Sequence, residues 1–172
     1  PKPSSAASDV YKRQADKFNT NLSVIKSVIK SNENRSLLLL KRVFHLLKGK
    51  VKNKKICFLG VTFKANTDDM RDSSSLSMIP SLVRKGAKVN YYDPTGEKNE
   101  FKKIKNVNFS KNIKSAIKDS DLVIIHTEWN DFKTINFNKD VSNKKFILFD
   151  MRNIYSPVKM KDLKINYFGV GH

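Results

Sequence analysis

Three cations stand where the sequence could put them to chemical use: Lys64, Arg71 and Arg152. The first two lie in "GVTFKANTDDMRDSSS" (60–75), directly after the apolar run "KICFL". A lysine there is a mobile point charge for a phosphate or sugar oxygen, or simply a surface lysine. Arg71 precedes Ser73-Ser74-Ser75, which reads as a helix start. A planar guanidinium and the free N–H groups of a helix N-terminus can share an anion. Equally, Arg71 can pair with Asp68, Asp69 or Asp72 as a loop clamp, and both readings stand. The loop holds too many carboxylates for anion binding alone, so some are expected to cap the next helix or to hold the basic side chains. Arg152, two residues beyond the apolar run ending at Asp150, reads as a sugar or phosphate contact.

Other candidates carry less. Asp93 sits where a ribose carboxylate would, but Asp-Pro also ends strands and begins turns. His126 has no companions at metal-ligand spacing and reads as a buried or hydrogen-bonded histidine. Trp129 reads as a packing residue. Cys57 is the sole cysteine, flanked by apolar residues, and reads as core rather than nucleophile. No Ser/His/Asp or zinc arrangement emerges from spacing.

The elements that must position these groups alternate. Strands are expected at 54–59, 87–93, 106–109, 121–127 and 144–150, with "YFGVG" as a last edge segment. Helices are expected at about 74–85, closed by Gly86, and at 112–120. Short strands apolar on both faces, with helices between them, form a parallel sheet with crossover helices, a Rossmann-like α/β domain over 50–172. Ahead of it, apolar residues from Leu22 to Leu47 recur at three- and four-residue steps and stop at Gly49. This predicts one long helix over 15–49, with more apolar surface than the chain can cover. Residues 1–14 read as a tail without periodicity, resembling translated linker sequence. In open parallel sheets ligands bind beyond the carboxyl ends of the strands. Here those ends carry Gly60–Arg71, Asp93, His126–Trp129 and Asp150–Arg152.

Composition narrows the function. The chain has 172 residues and a formal charge of +18, with 28 Lys and 6 Arg among its 34 basic residues. Non-specific attraction of polyanions follows. The lysines are spread along the chain, without arginine clusters or an RNP-like aromatic pattern, so no specific nucleic-acid partner is expected. No run is long enough to span a membrane, no signal peptide is visible, and a cytoplasmic location is expected. The first strand-to-helix turn lacks GxGxxG, so a dinucleotide held there in the usual way is not expected.

The stretch "ICFLGVTFKANTDDMRDSSSLSMIPSLVRKGAKVNYYDP" resembles the start of the C-terminal, UDP-binding domain of the UDP-glucose/GDP-mannose dehydrogenase family, in particular its UDP-glucose 6-dehydrogenases. "HTEWNDF", "LFDMRNIYSP" and "SNENR" are similar to the family's later signatures and its central helix, so the resemblance runs from about Asp16 to His172. It implies an NAD-dependent, two-step oxidation of a nucleotide sugar's 6-hydroxyl to a carboxylate, with an aldehyde stage held on a cysteine. UDP-glucose is the implied substrate; UDP-N-acetylmannosamine, GDP-mannose, or a non-enzymatic nucleotide-binding role are the alternatives. By match, Phe63, Lys64 and Arg152 would line the substrate site and Arg71 would reach bound NAD. Cys57 does not match the family's catalytic cysteine, which lies in a glycine-rich motif ahead of the central helix. Neither that motif nor the N-terminal dinucleotide fold is present in these residues, so the chain is expected to bind a uridine nucleotide without oxidising UDP-glucose. The long helix would form a homodimer core.

Overall fold

The computed structural model describes residues 23–171. The tail expected over 1–14, and any part of the long helix before Ser23, lie outside them. The chain divides into a first unit ending at Leu40 and a second beginning at Lys41. Helix α1 (Ser23–Leu46) supplies the described part of the first unit and opens the second. "SNENR" stays helical, as expected of a polar interruption without Pro or Gly. Leu37 and Leu38 on this helix are exposed. The helix stops where Lys48 and Gly49 turn left-handed (φ 51° and 73°), and Gly49 N–H donates back to the Phe44 carbonyl at 2.9 Å.

The second unit is the expected Rossmann-like α/β fold. Its strands are β1 (Lys55–Leu59), β2 (Lys88–Tyr92), β3 (Val107–Phe109), β4 (Leu122–Ile125), β5 (Ile147–Asp150) and β6 (Asn166–Gly169). All pair parallel, in the order β3-β2-β1-β4-β5-β6. The crossovers include α2 (Ser75–Arg84) and α4 (Ile113–Ile117). From Ile56 to Leu59 and from Leu122 to Ile125 every side chain is buried. Strands covered on both faces need continuous apolar runs, which is why these read so plainly in the sequence.

Four one- to two-turn elements escape a periodicity reading because they are too short to show a 3.6-residue repeat. These are α3 (Asn99–Lys102), a 3₁₀ turn (Asn130–Thr134), α5 (Phe137–Asp140) and α6 (Pro157–Asp162). Each is pinned by one buried apolar side chain: Phe101, Phe132, Phe137 and Met160 respectively.

The sheet order reverses between β1 and β4, and this is where a crevice forms at the carboxyl ends. Gly60 leaves β1 with φ +75°, and a Cβ placed there would lie 2.5 Å from the Thr127 Cβ. Only glycine allows both the left-handed turn and this approach. Gly60→Ala should therefore cost about 2–4 kcal/mol, from the left-handed penalty plus overpacking. Gly96→Ala, at φ +90° with nothing within 4 Å, should cost roughly 1–2 kcal/mol. Urea unfolding of the two variants should separate them, and equal losses would show that the Thr127 approach is not the constraint.

Candidate functional site at the switch-point crevice

The chain beyond Gly60 is fastened from three sides. Val61 N–H donates to Asp93 Oδ2 at 2.8 Å, and the Val61 carbonyl accepts from the hydroxyls of Ser73 and Ser75, each at 2.6 Å. Asp93, fully buried, also accepts from the N–H and hydroxyl of Thr95, and Lys98 Nζ lies 3.8 Å from its Oδ1. Its oxygens thus hold the protein together, and of the two roles open to it the turn-forming one is what the structure displays. Of the two roles expected for the loop carboxylates, Asp69 takes the second by holding Arg71, and Ser74 at the N-cap of α2 makes no side-chain capping bond. The serines are spent on tertiary contacts instead.

Ser74 Oγ lies 2.8 Å from His126 Nε2, and His126 Nδ1 lies 3.1 Å from Thr127 Oγ1. The Thr127 hydroxyl gives its proton to the Thr62 carbonyl at 2.9 Å. It can then only accept from His126, which places the ring proton on Nδ1 and leaves Nε2 to accept from Ser74. Burial, with a smaller effect from the Arg152 charge, holds His126 neutral and lowers its pKa to about 3. The buried, hydrogen-bonded histidine expected from the sequence is what forms. Burial likewise pushes the Cys57 thiol up, away from thiolate chemistry.

The four residues singled out in the sequence sit in one connected neighbourhood. Arg152 donates from Nε to the His126 carbonyl at 2.7 Å and from Nη2 to the Phe63 carbonyl at 3.1 Å. Asp150, buried at the end of β5, sets the turn by accepting from the N–H of Arg152 and of Tyr155, each at 3.0 Å. Phe63 is 45% exposed, an unusual position for a phenyl ring. Its N–H donates to the Asp69 carbonyl at 3.0 Å, which closes the loop. Lys64 is exposed, and its ammonium has no hydrogen-bond or ion-pair partner among the described residues. Arg71, its side chain 71% exposed, forks onto Asp69, with Nε–Oδ1 at 2.9 Å and Nη2–Oδ2 at 2.8 Å. This is the loop clamp that the sequence left open. Hydrogen bonds from Arg71 hold the Asp69 pKa down to about 2. Trp129 packs against the apolar core, as expected, although its buried Nε1 has no partner among the described residues. Spacing gave no sign of the Ser74–His126–Thr127 chain, because Ser74 lies 52 residues from the His126-Thr127 pair that follows β4.

Residues 57–157 match the model of the UDP-glucose/GDP-mannose dehydrogenase family, UDP binding domain. The chain belongs to this family. Among relatives, it is 32% identical over 160 residues to a UDP-glucose 6-dehydrogenase of Rhizobium meliloti (strain 1021), covering 92% of this chain and 37% of that protein. A UDP-glucose 6-dehydrogenase of Rickettsia bellii (strain RML369-C) is 37% identical over 152 residues, covering 86% of this chain and 35% of that protein. The chain thus spans about a third of the length of these relatives. Its fold is shared with an NDP-N-acetyl-D-galactosaminuronic acid dehydrogenase from Methanosarcina mazei Go1 (TM-score 0.73, 18% identity, 94% of this chain and 36% of that one). The family match runs from Cys57, within β1, to the start of α6, and so contains every crevice residue named above.

A neutral His126 makes the crevice acid-sensitive. Its pKa lies below the ordinary 6.5 when folded, so unfolding takes up a proton below about pH 6.5. Stability should fall as pH drops through the window from 6.5 toward 3, by up to about 1.4 kcal/mol per pH unit, and His126 should contribute no pH dependence above it. Urea unfolding between about pH 7.5 and pH 5 should show this slope, and His126→Gln should flatten it. An unchanged slope in the variant would rule out His126 as its source.

Proposed function

We propose that the crevice is the nucleotide-sugar half-site of an NAD-dependent nucleotide-sugar dehydrogenase, with UDP-glucose as the ligand. The observation that carries this is the anchored Arg152. Two of its five N–H groups are fixed on the Phe63 and His126 carbonyls, and three have no acceptor among the described residues. With the uncommitted Lys64 ammonium following Phe63, the loop offers cations suited to a diphosphate. The exposed Phe63 ring offers an apolar face for a base or sugar. The names of the relatives at 32–37% identity favour UDP-glucose. Structures sharing the fold act on other nucleotide sugars, a UDP-N-acetylmannosamine dehydrogenase and a GDP-mannose dehydrogenase among them, so these are the competing ligands.

NAD enters this proposal as a ligand shared with another part of a larger assembly. The turn at Gly60 carries one glycine where a dinucleotide turn needs several, and Asp93 is consumed internally, so the residues present do not fit a dinucleotide of their own. In this proposal Arg71 is the residue that touches NAD held elsewhere, and its exposed guanidinium, forked onto Asp69, supports that reading. When bound, NAD would accept the hydride; the work of this chain is to hold and orient the nucleotide sugar. The exposed Leu37 and Leu38 support a homodimer in which α1 packs on a second copy of itself.

Calorimetric titration of the chain should show UDP-glucose binding with modest salt dependence, and weaker binding of UDP-N-acetylmannosamine and GDP-mannose. Lys64→Ala and Arg152→Ala should each weaken it about 10- to 100-fold, as expected for losing a charge-assisted hydrogen bond. Tighter binding of either competitor would reassign the substrate, and binding of none of the three would overturn the proposal.

A further inference from the structure

Glu128 has a geometry that packing alone does not require. Its side chain is 41% exposed, yet one carboxylate oxygen, Oε2, is buried and accepts no hydrogen bond among the described residues. That oxygen lies 3.0 Å from Arg152 Nε, whose N–H is already given to the His126 carbonyl at 2.7 Å. A buried carboxylate oxygen without a donor is costly, and here the adjacent guanidinium charge offsets that cost.

The geometry of the guanidinium shows what the arrangement accomplishes. Nε and Nη2 are the nitrogens that donate to the two main-chain carbonyls. Both Nη1 N–H groups and one on Nη2 have no acceptor among the described residues, and an N–H from each of these two nitrogens is the end-on fork that can bind an oxyanion through two parallel bonds. Glu128 sits at the Nε end, away from that fork, so it can neutralise the guanidinium without competing for the same N–H groups. It is also adjacent to the segment that supplies the other contacts: the His126 carbonyl holds Nε, and Trp129 N–H closes the turn onto the Thr127 carbonyl at 3.0 Å. Carbonyl dipoles fix the direction of a guanidinium, but a full counter-charge restrains it more strongly against the rotamer freedom of a long side chain.

We propose that Glu128 is a positioning residue for the nucleotide-sugar site, holding Arg152 so that its end-on fork is presented to the ligand's phosphate or sugar oxygens. This rests on the half-site reading above and adds to it a residue that does not itself touch the ligand.

Two measurements on the 172-residue chain test it. In the ligand-free protein, the Arg152 Nε–H resonance, assigned with Arg152→Lys, should be sharp and slow to exchange. In Glu128→Ala it should broaden and exchange faster, and in Glu128→Gln it should fall between. In titrations with UDP-glucose, Glu128→Ala should weaken binding about tenfold, with partial recovery in Glu128→Gln. Glu128→Ala combined with Arg152→Ala should bind no more weakly than Arg152→Ala alone, because a residue that acts through Arg152 has nothing left to position. Additive losses, or a resonance indifferent to residue 128, would overturn the positioning role. If the wild-type chain binds no nucleotide sugar, the half-site reading fails, while the ligand-free resonance still decides whether Glu128 orders Arg152.

Discussion

The close approach of Gly60 to Thr127 is the constraint on which the crevice depends. It brings the chain leaving β1 against the chain leaving β4 at the point where strand order reverses. With no side chain between them, the Thr127 hydroxyl reaches the Thr62 carbonyl, and its oxygen then defines which His126 nitrogen carries the proton. From His126 the connections run to Ser74 at the start of α2 and, through its carbonyl, to Arg152 after β5. Three strand ends and a helix start are thereby locked to one glycine, and a residue with a Cβ at that position would push apart the groups that converge there.

Electrostatics explain why so many acids accumulate at this end of a strongly basic chain. Asp93 and Asp150 are buried, and their oxygens accept from N–H and hydroxyl groups of the turns they organise. Asp69 clamps Arg71, and Glu128 lies against Arg152. These carboxylates are scaffolding: each holds either a backbone turn or a cation. Of the cations at this end, Arg71 and Arg152 are held in place, whereas the Lys64 ammonium is exposed. A crevice built this way can discriminate among anions by geometry, which a diffuse lysine surface cannot do. The excess positive charge elsewhere on the chain supplies long-range attraction without selectivity.

The legibility of the sequence varied with the length of the feature. The central strands were plain because burial on both faces demands unbroken apolar runs, as in "ICFL" and "LVII". Helix α2 showed its start in three serines and its end in Gly86. The short helices around Phe101, Phe137 and Met160 were invisible because one anchoring side chain leaves no period. At the site, spacing indicated that Lys64, Arg71 and Arg152 belonged near strand ends. It left Arg71 between an anion and an aspartate, and it left the loop carboxylates between capping the helix and holding a cation, which is what Asp69 does.

The sequence by itself determined the parallel α/β architecture, the crevice end of the sheet and the residue types that face it, because these follow from local hydrophobic pattern and the direction of parallel strands. Which polar groups hold one another and which remain open was decided by tertiary structure alone. Asp93 meets Val61, Ser74 meets His126, and Arg152 meets Phe63 across 32, 52 and 89 residues of chain. A hydrogen bond is satisfied by whichever partner the fold brings within about 3 Å, and separation along the chain carries no record of that distance.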